Sequence, residues 1–239
     1  RTPLPNDASA EAQADAHLCL MNALGIERAA IMGASAGAPS AMQFAIRHSD
    51  RTAALFLLVP AAYHADAVPA EAYIVKTEGR AVTTPAWTEF LFDTALKSDF
   101  LLWLAIRAIP DTVTAAILAT PPEVVKKADR SEQERVQQMM THILPVSARR
   151  PGLANDAKVV STLPRYKLER IQAPTLIISM KDDRFGTYAS ARYTAAHIAG
   201  ARFVGYEEGG HLGVGHHQEI LDEAASFFRN TDRTRAGDF

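Results

Sequence analysis

The stretch that most constrains the fold is residues 28–48, which read RAAIMGASAGAPSAMQFAIRH. A short apolar run meets a G-x-S-x-G motif centred on Ser35, and a helical pattern of apolar residues follows at once. A serine on such a sharp strand-to-helix turn needs small neighbours, because adjoining backbone passes close to it. Gly33 and Gly37 have no Cβ to clash there. The motif therefore predicts a nucleophilic Ser35, with the Ala36 N–H at the helix start as an oxyanion donor.

Apolar runs alternate with helical patterns over much of the remaining chain. Continuous apolar runs are typical of strands that are buried on both faces of a parallel sheet. Strands that alternate with helices predict an α/β fold with a mostly parallel sheet flanked by helices. The runs that predict strands are residues 26–32, 53–59, 175–179 and 201–206, and the patterns that predict helices are residues 9–24, 39–46, 187–199 and 218–228.

A long helical insertion interrupts this alternation at residues 64–165. It contains a polar helical pattern over residues 122–142 and a group of aromatic residues. We interpret it as a cap or lid between two parts of the core, residues 1–63 and 166–239. The aromatic residues either line an apolar pocket or form the cap's own core, the usual role of such groups; they are Trp87, Phe90, Phe100 and Trp103.

Two further groups of reactive residues follow the later apolar runs. Asp182 and Asp183 come directly after the third run, and His211 comes shortly after the fourth. Active sites of parallel sheets lie beyond the carboxyl ends of the strands. A serine hydroxyl needs a base, an imidazole is a suitable base near neutral pH, and a carboxylate orients the imidazole. Either aspartate could take that role with His211 and Ser35, although solvated loop residues remain an alternative.

Composition excludes several classes of function. Hydrophobic residues make up 48% of the chain and charged residues 22%, as in ordinary globular proteins. The net charge of -2 is not accompanied by a basic block, so neither nucleic acid nor an anionic membrane is an expected partner. The most apolar window contains Arg107, Pro110 and Asp111, which argues against a membrane span.

A reducing compartment is indicated by the single cysteine, Cys19, which excludes an internal disulfide. We therefore expect a cytoplasmic protein. Cys19 lies among apolar residues of helical spacing, and we interpret it as part of the core. His216 and His217 lack partners with recognisable metal-ligand spacing, so the sequence predicts no metal and no cofactor.

Over residues 9–229 the sequence resembles the α/β-hydrolase superfamily, in the branch with a helical cap. The segment LGIERAAIMGASAGAPSAMQFAIRHSDRTAALFLLVP resembles the family's nucleophile block, APTLIISMKDDRFG its acid block and GYEEGGHLGVGHHQEI its histidine block. The resemblance implies that Ser35 is the nucleophile and His211 the base. It implies Asp183 as the acid, because the family's acid usually stands just before the position of Arg184.

The implied activity is that of a carboxylesterase-like serine hydrolase, which cleaves an ester-like acyl bond in a small to medium, mostly apolar substrate. Carbon–carbon hydrolysis of a diketone-like compound and perhydrolase activity are alternatives within the fold. A non-enzymatic ligand-binding module is the alternative of another class. Four residues close to the predicted strand ends are candidates for the substrate pocket: Tyr63, His64, Phe185 and Leu212.

One departure from the family concerns the N-terminal side. Family members have strands before the first helix seen here, and a loop among those strands supplies the second oxyanion donor. The printed sequence begins at Arg1 without that block, so we expect a partial α/β-hydrolase fold with a truncated N-terminus. The strand at residues 26–32 would then be an open sheet edge. The alternative is that another chain, or a second copy in a homo-oligomer, covers this edge.

Overall fold

The sheet has four parallel strands. The computed structural model describes residues 4–63 and 98–236, and the side chains as far as residue 231. The strands follow one another across the sheet in chain order. This confirms the predicted mostly parallel α/β architecture. The strands are β1 (Ala29–Ala34), β2 (Thr52–Leu58), β3 (Thr175–Met180) and β4 (Arg202–Tyr206).

Helices flank the sheet, and the described part of the insertion between β2 and β3 contains five further helices. Within the described ranges, no helix combines the length and the apolar character that a bilayer crossing requires. The helices are α1 (Ala10–Ala23), α2 (Ala38–Arg47), α3 (Asp99–Ala108), α4 (Pro110–Ala116), α5 (Pro122–Lys127), α6 (Arg130–His142), α7 (Arg150–Ser161), α8 (Thr187–His197) and α9 (His217–Ala236).

The central strands β2 and β3 are largely buried against helices on both faces of the sheet. On one face, α2 and α8 bury Leu55 and Ile177. On the other face, α9 packs against Phe56 and Ile178 through Ile220 and the phenylalanines near its end. All six residues of β3 are buried, as the continuous apolar pattern predicts. Because the four strands are parallel, their carboxyl ends lie at the same edge of the sheet. The packing of helices on β2 and β3 supports that edge.

Among the described helices of the insertion, α3, α4, α5 and α6 share a core of their own. The polar helix predicted over residues 122–142 is two helices, because the chain bends at Ala128 and Asp129. Asp129 caps the second helix by accepting the N–H of Glu132 at 2.9 Å. The core of the insertion also contains Val214, which comes from the loop after β4.

The helix predicted from Ser9 is present, and Ser9 caps it by accepting the Ala12 N–H at 3.2 Å. The prediction that Cys19 of this helix belongs to the core is wrong. α1 packs on α2 through Ala14 and Met21, so the opposite apolar stripe faces outward and Cys19 is exposed rather than part of the core.

The edge strand β1 leaves apolar surface uncovered. Met32 is 65% exposed, although it lies opposite the buried Phe56 in the β1–β2 register. Leu20 and Leu24 of α1 are also exposed. The open apolar edge predicted for this strand is thus present in the described chain.

Candidate active site

Ser35 lies directly after β1, on a tight turn that leads into α2. Its φ of 49° is in the left-handed region, which is rare for residues other than glycine. Gly33 is sterically required, since an added Cβ would lie 2.7 Å from the Ala41 Cβ and 2.8 Å from the Ala38 Cα. Gly37 is not required for space, because a Cβ there would meet no atom within 4 Å. Only one of the two glycines therefore has the predicted steric role.

Ala36, the predicted oxyanion donor, occupies the second position of the turn Ser35–Gly37, and α2 begins at Ala38. The N-terminal end of a helix favours negative charge, because its N–H groups and its dipole point towards it. The backbone carbonyl of Ser35 accepts the Ala61 N–H at 3.0 Å, which ties the turn to the segment after β2.

Asp183 and His211 meet at the same edge of the sheet. The imidazole Nδ1 lies 2.8 Å from the Asp183 Oδ2, and the aspartate side chain is fully buried. A carboxylate can only accept hydrogen bonds, so this contact places the proton on Nδ1 and leaves Nε2 as an acceptor. Such a tautomer is the one that a general base requires.

Behind Asp183 lies a chain of hydroxyl groups that the sequence analysis missed. The Thr187 hydroxyl donates to the Asp183 Oδ2, and it lies 3.0 Å from the buried hydroxyl of Ser179. Because the single Thr187 proton goes to the carboxylate, Ser179 must donate to Thr187. The Phe185 N–H donates to the other carboxylate oxygen at 2.9 Å. The only sequence signal for this row of hydroxyl groups is that Ser179 stands near the end of β3 and Thr187 at the start of α8.

Asp182 has a different task from its neighbour. Its carboxylate accepts the N–H groups of Gly209 at 3.2 Å and Gly210 at 2.8 Å, and so holds the backbone just before His211. Burial raises the pKa of Asp182 above its usual range, although these two hydrogen bonds act in the opposite direction. Of the two neighbouring aspartates, Asp183 bonds the imidazole and Asp182 bonds the backbone of its loop.

Of the residues predicted to line a substrate pocket, Phe185 lies beside the imidazole. Its ring is perpendicular to that of His211, with the centroids 4.8 Å apart. Leu212 packs against the core of the insertion. Tyr63 packs edge-on against Tyr193, next to a void of only about 10 Å³. His64 lies outside the described residues, as do Trp87 and Phe90, and the pocket-lining roles stay predictions.

The larger cavity, of about 460 Å³, lies on the insertion and away from these residues. Trp103, Arg107 and Gln137 are among its lining residues, and the Arg107 guanidinium lies 4.6 Å above the Trp103 ring. Its size is in the range of ligand sites. Neither Ser35 nor His211 lines it, so the size of this cavity does not identify a reaction site.

Backbone strain is concentrated near the strand ends. Within the described chain, the non-glycine residues with positive φ are Ser35, Val59 and Ala119. Val59 directly follows β2, and the Ala119 carbonyl accepts the backbone N–H of His211 at 3.3 Å. Such conformations cost about 1–3 kcal/mol each and are common at functional sites.

The histidines that raised the question of a metal have other neighbours. His216 bonds Glu219 at 3.0 Å and stacks on Tyr206 with the ring centroids 4.2 Å apart. Among residues 4–63 and 98–236, no group of three or more His, Cys, Asp or Glu side chains is arranged to hold a metal ion.

Comparisons with known proteins agree with this geometry. The family model of the α/β hydrolase fold matches residues 1–217. An α/β hydrolase fold protein from Nakamurella multipartita is 25% identical, with a TM-score of 0.65 over 95% of this chain and 78% of that chain. A hydrolase from Pseudomonas aeruginosa is also 25% identical, with a TM-score of 0.64 over 95% of this chain and 74% of that chain.

A thermophilic esterase from Thermogutta terrifontis has the same fold at 22% identity, with a TM-score of 0.59 over 96% of this chain and 75% of that chain. A comparison with curated proteins gives no match. The family model spans most of the chain, and the parallel sheet flanked by helices is consistent with it. The chain therefore belongs to the α/β-hydrolase fold family, and it is a hydrolase.

Proposed function

We propose that the chain is a serine hydrolase that cleaves an ester-like bond through Ser35, His211 and Asp183. The observation that carries the proposal is the 2.8 Å contact between the His211 Nδ1 and the fully buried Asp183. Ser35 supports it as well, because its left-handed backbone on a tight turn is the conformation expected of a nucleophile at a strand end.

In the proposed reaction the Ser35 Oγ attacks the carbonyl carbon of the substrate, while the His211 Nε2 takes the serine proton. The negative charge that develops on the carbonyl oxygen is stabilised by the Ala36 N–H. His211 then gives the proton to the leaving group, and the acyl-enzyme is hydrolysed by water with His211 acting again as base. Asp183 holds the tautomer and stabilises the imidazolium. No cofactor is needed.

The proposed substrate is a small to medium, mostly apolar ester. Phe185 supports this proposal, because its ring packs on the imidazole and leaves apolar surface beside the base. Chromogenic esters of increasing acyl length test it. We expect turnover with short and medium chains.

Single variants test the roles of the three residues. We expect Ser35→Ala to lower kcat by at least about 10³-fold and Asp183→Asn by about 10²–10⁴-fold. Ser161→Ala is the matched control, because that serine is exposed on α7 and its hydroxyl bonds only the Lys158 carbonyl. An active-site phosphonate probe should add mass at Ser35 alone.

Different results would favour the alternatives. Cleavage of a diketone-like compound without ester turnover would indicate carbon–carbon hydrolysis. Peracid formation from acetate and hydrogen peroxide would indicate a perhydrolase. Equal ester turnover by wild type and Ser35→Ala would contradict the proposed mechanism.

A further inference from the structure

We infer that the insertion positions the catalytic base. An ion pair on α6, Glu132 with Arg135, and the turn that contains Thr120 hold the loop of residues 209–215, hereafter the histidine loop. This inference rests on the proposed function, because it treats His211 as the base. The helices of the insertion would then align the site.

The ion pair is nearly buried and holds both sides of the histidine loop. The side chains of Glu132 and Arg135 are 10% and 16% exposed, and they form two hydrogen bonds of 2.7 Å and 3.0 Å with each other. The Glu132 Oε2 also accepts the Gly215 N–H at 3.0 Å. The Arg135 Nη2 donates to the Leu212 carbonyl at 3.1 Å. Charge-assisted hydrogen bonds of this kind are stronger and shorter than neutral ones.

The turn between α4 and α5 provides a second set of contacts. The buried Thr120 hydroxyl accepts the Leu212 N–H at 3.2 Å. The Ala119 carbonyl accepts two N–H groups, from His211 at 3.3 Å and from Arg184 at 3.0 Å. One oxygen atom thus links the histidine loop to the loop that carries the acid.

Packing confines the middle of the histidine loop on two sides, whereas Gly215 at its end is exposed. Val214 is buried in the core of the insertion. A Cβ on Gly210 would lie 2.7 Å from the Thr120 Cα, and one on Gly213 would lie 2.5 Å from the Met180 Cε. Residues 210–214 therefore cannot shift unless the insertion or the end of β3 moves as well.

This arrangement has a catalytic consequence. Asp183 fixes the ring of His211 and Asp182 the backbone before it, both from the loop after β3. The insertion fixes the backbone from His211 onward. A misplacement of about 1 Å between reacting groups can cost about 10²-fold in rate. Loosening the ion pair should therefore lower kcat and leave KM nearly unchanged, since neither of its side chains needs to touch the substrate.

The decisive variant is Glu132→Met with Arg135→Met. Replacing a buried ion pair by apolar side chains of similar length is often neutral or stabilising, so the fold should survive. We expect kcat for a chromogenic ester to fall about 10–100-fold, with KM within about twofold of wild type. The matched control is Arg130→Met with Glu134→Met, an exposed pair on the same helix with side chains 93% and 60% exposed, which should leave kcat unchanged.

A second variant covers the case in which the double variant does not fold. Thr120→Val preserves the shape of the side chain but removes the acceptor of the Leu212 N–H. We expect a fall in kcat of about tenfold, with recovery in Thr120→Ser, which keeps the hydroxyl. Unchanged kcat in a folded double variant, or in Thr120→Val, would overturn the inference.

Hydrogen exchange separates this inference from the proposed function. The amides of Leu212 and Gly215 should exchange faster in the double variant than in wild type or in the control pair. If these amides exchange faster in the double variant but wild type is inactive, the proposed function is contradicted, and the inference that the ion pair positions the histidine loop is supported. Unchanged exchange of these amides would contradict the inference that the ion pair positions the histidine loop, whatever the activity.

Discussion

Replacing Thr187 by valine tests the hydroxyl chain behind Asp183. The substitution keeps the branched shape of the side chain but removes the hydroxyl that donates to the buried carboxylate. It also removes the partner of the Ser179 hydroxyl, which is buried and lies 3.0 Å away. Asp183 would retain its bonds with the Phe185 N–H and the His211 ring.

Two losses therefore add up in Thr187→Val. A hydrogen bond to a charged group contributes about 1.5–3 kcal/mol, and a buried hydroxyl left without a partner costs about 1–3 kcal/mol. Some of the second loss is relieved if Ser179 rotates, so we expect the free energy of unfolding to fall by about 2–4 kcal/mol. For a chain of this size that corresponds to a Tm about 5–15 °C lower. Urea unfolding and thermal melts followed by circular dichroism measure both quantities.

Thr194→Val is the matched control. Thr194 is also buried on α8, but its hydroxyl donates to the neutral Ser190 carbonyl at 2.7 Å. Its loss should cost only about 0.5–1.5 kcal/mol. Thr187→Ser should recover most of the stability lost in Thr187→Val. If Thr187→Val proves no less stable than Thr194→Val, the hydroxyl does not stabilise the buried carboxylate and the reasoning fails.

Three further predictions concern the turn, the ion pair and the sheet edge. Gly33→Ala should lower the free energy of unfolding, measured with urea, by about 1–3 kcal/mol, because the new Cβ would lie under 3 Å from Ala38 and Ala41. Stability equal to that of wild type would contradict this packing. Burial raises the pKa of Glu132, but its arginine partner and a backbone N–H outweigh burial and leave the pKa below its usual range. The stability that Glu132 contributes is thus present above the ordinary glutamate pKa and is lost as pH falls through its folded value. The urea midpoints of wild type and Glu132→Gln should therefore differ at pH 7 and converge as the pH is lowered below the ordinary glutamate pKa of about 4.3. Met32 is exposed on the edge strand, so Met32→Lys should change the free energy of unfolding by less than about 0.5 kcal/mol. It should also reduce self-association measured by light scattering. A large loss of stability would show that this side chain is packed.

The sequence predicted the parts of the fold that depend on local patterns. Continuous apolar runs identified the buried strands, and the small residues around Ser35 identified the tight turn. Ser35, the pair Asp182 and Asp183, and His211 were placed at strand ends from their chain positions, whereas the choice of Asp183 came from the family resemblance. These signals are contained within short segments, so one sequence is enough to read them.

Other features depend on contacts between distant segments and were missed or wrong. The outward face of α1 is as apolar as its inward face, so only its packing on α2 shows that Cys19 is exposed. The two helices predicted as one over residues 122–142 are separated by an aspartate cap that a helical pattern hides. Glu132 and Arg135 stand about one turn apart on α6, which is also the spacing of many exposed ion pairs on helices. Their partners are backbone groups some eighty residues away, which no local pattern reveals.

The double acceptance at the Ala119 carbonyl has a consequence for engineering. One way to seek a new substrate preference would be to exchange the insertion for that of another α/β hydrolase. In this chain such a transplant would remove the oxygen that registers the acid loop against the histidine loop. A graft that retains Ala119 and Thr120 of this chain should keep its kcat. A graft that replaces these two residues as well should bind new compounds but turn them over slowly.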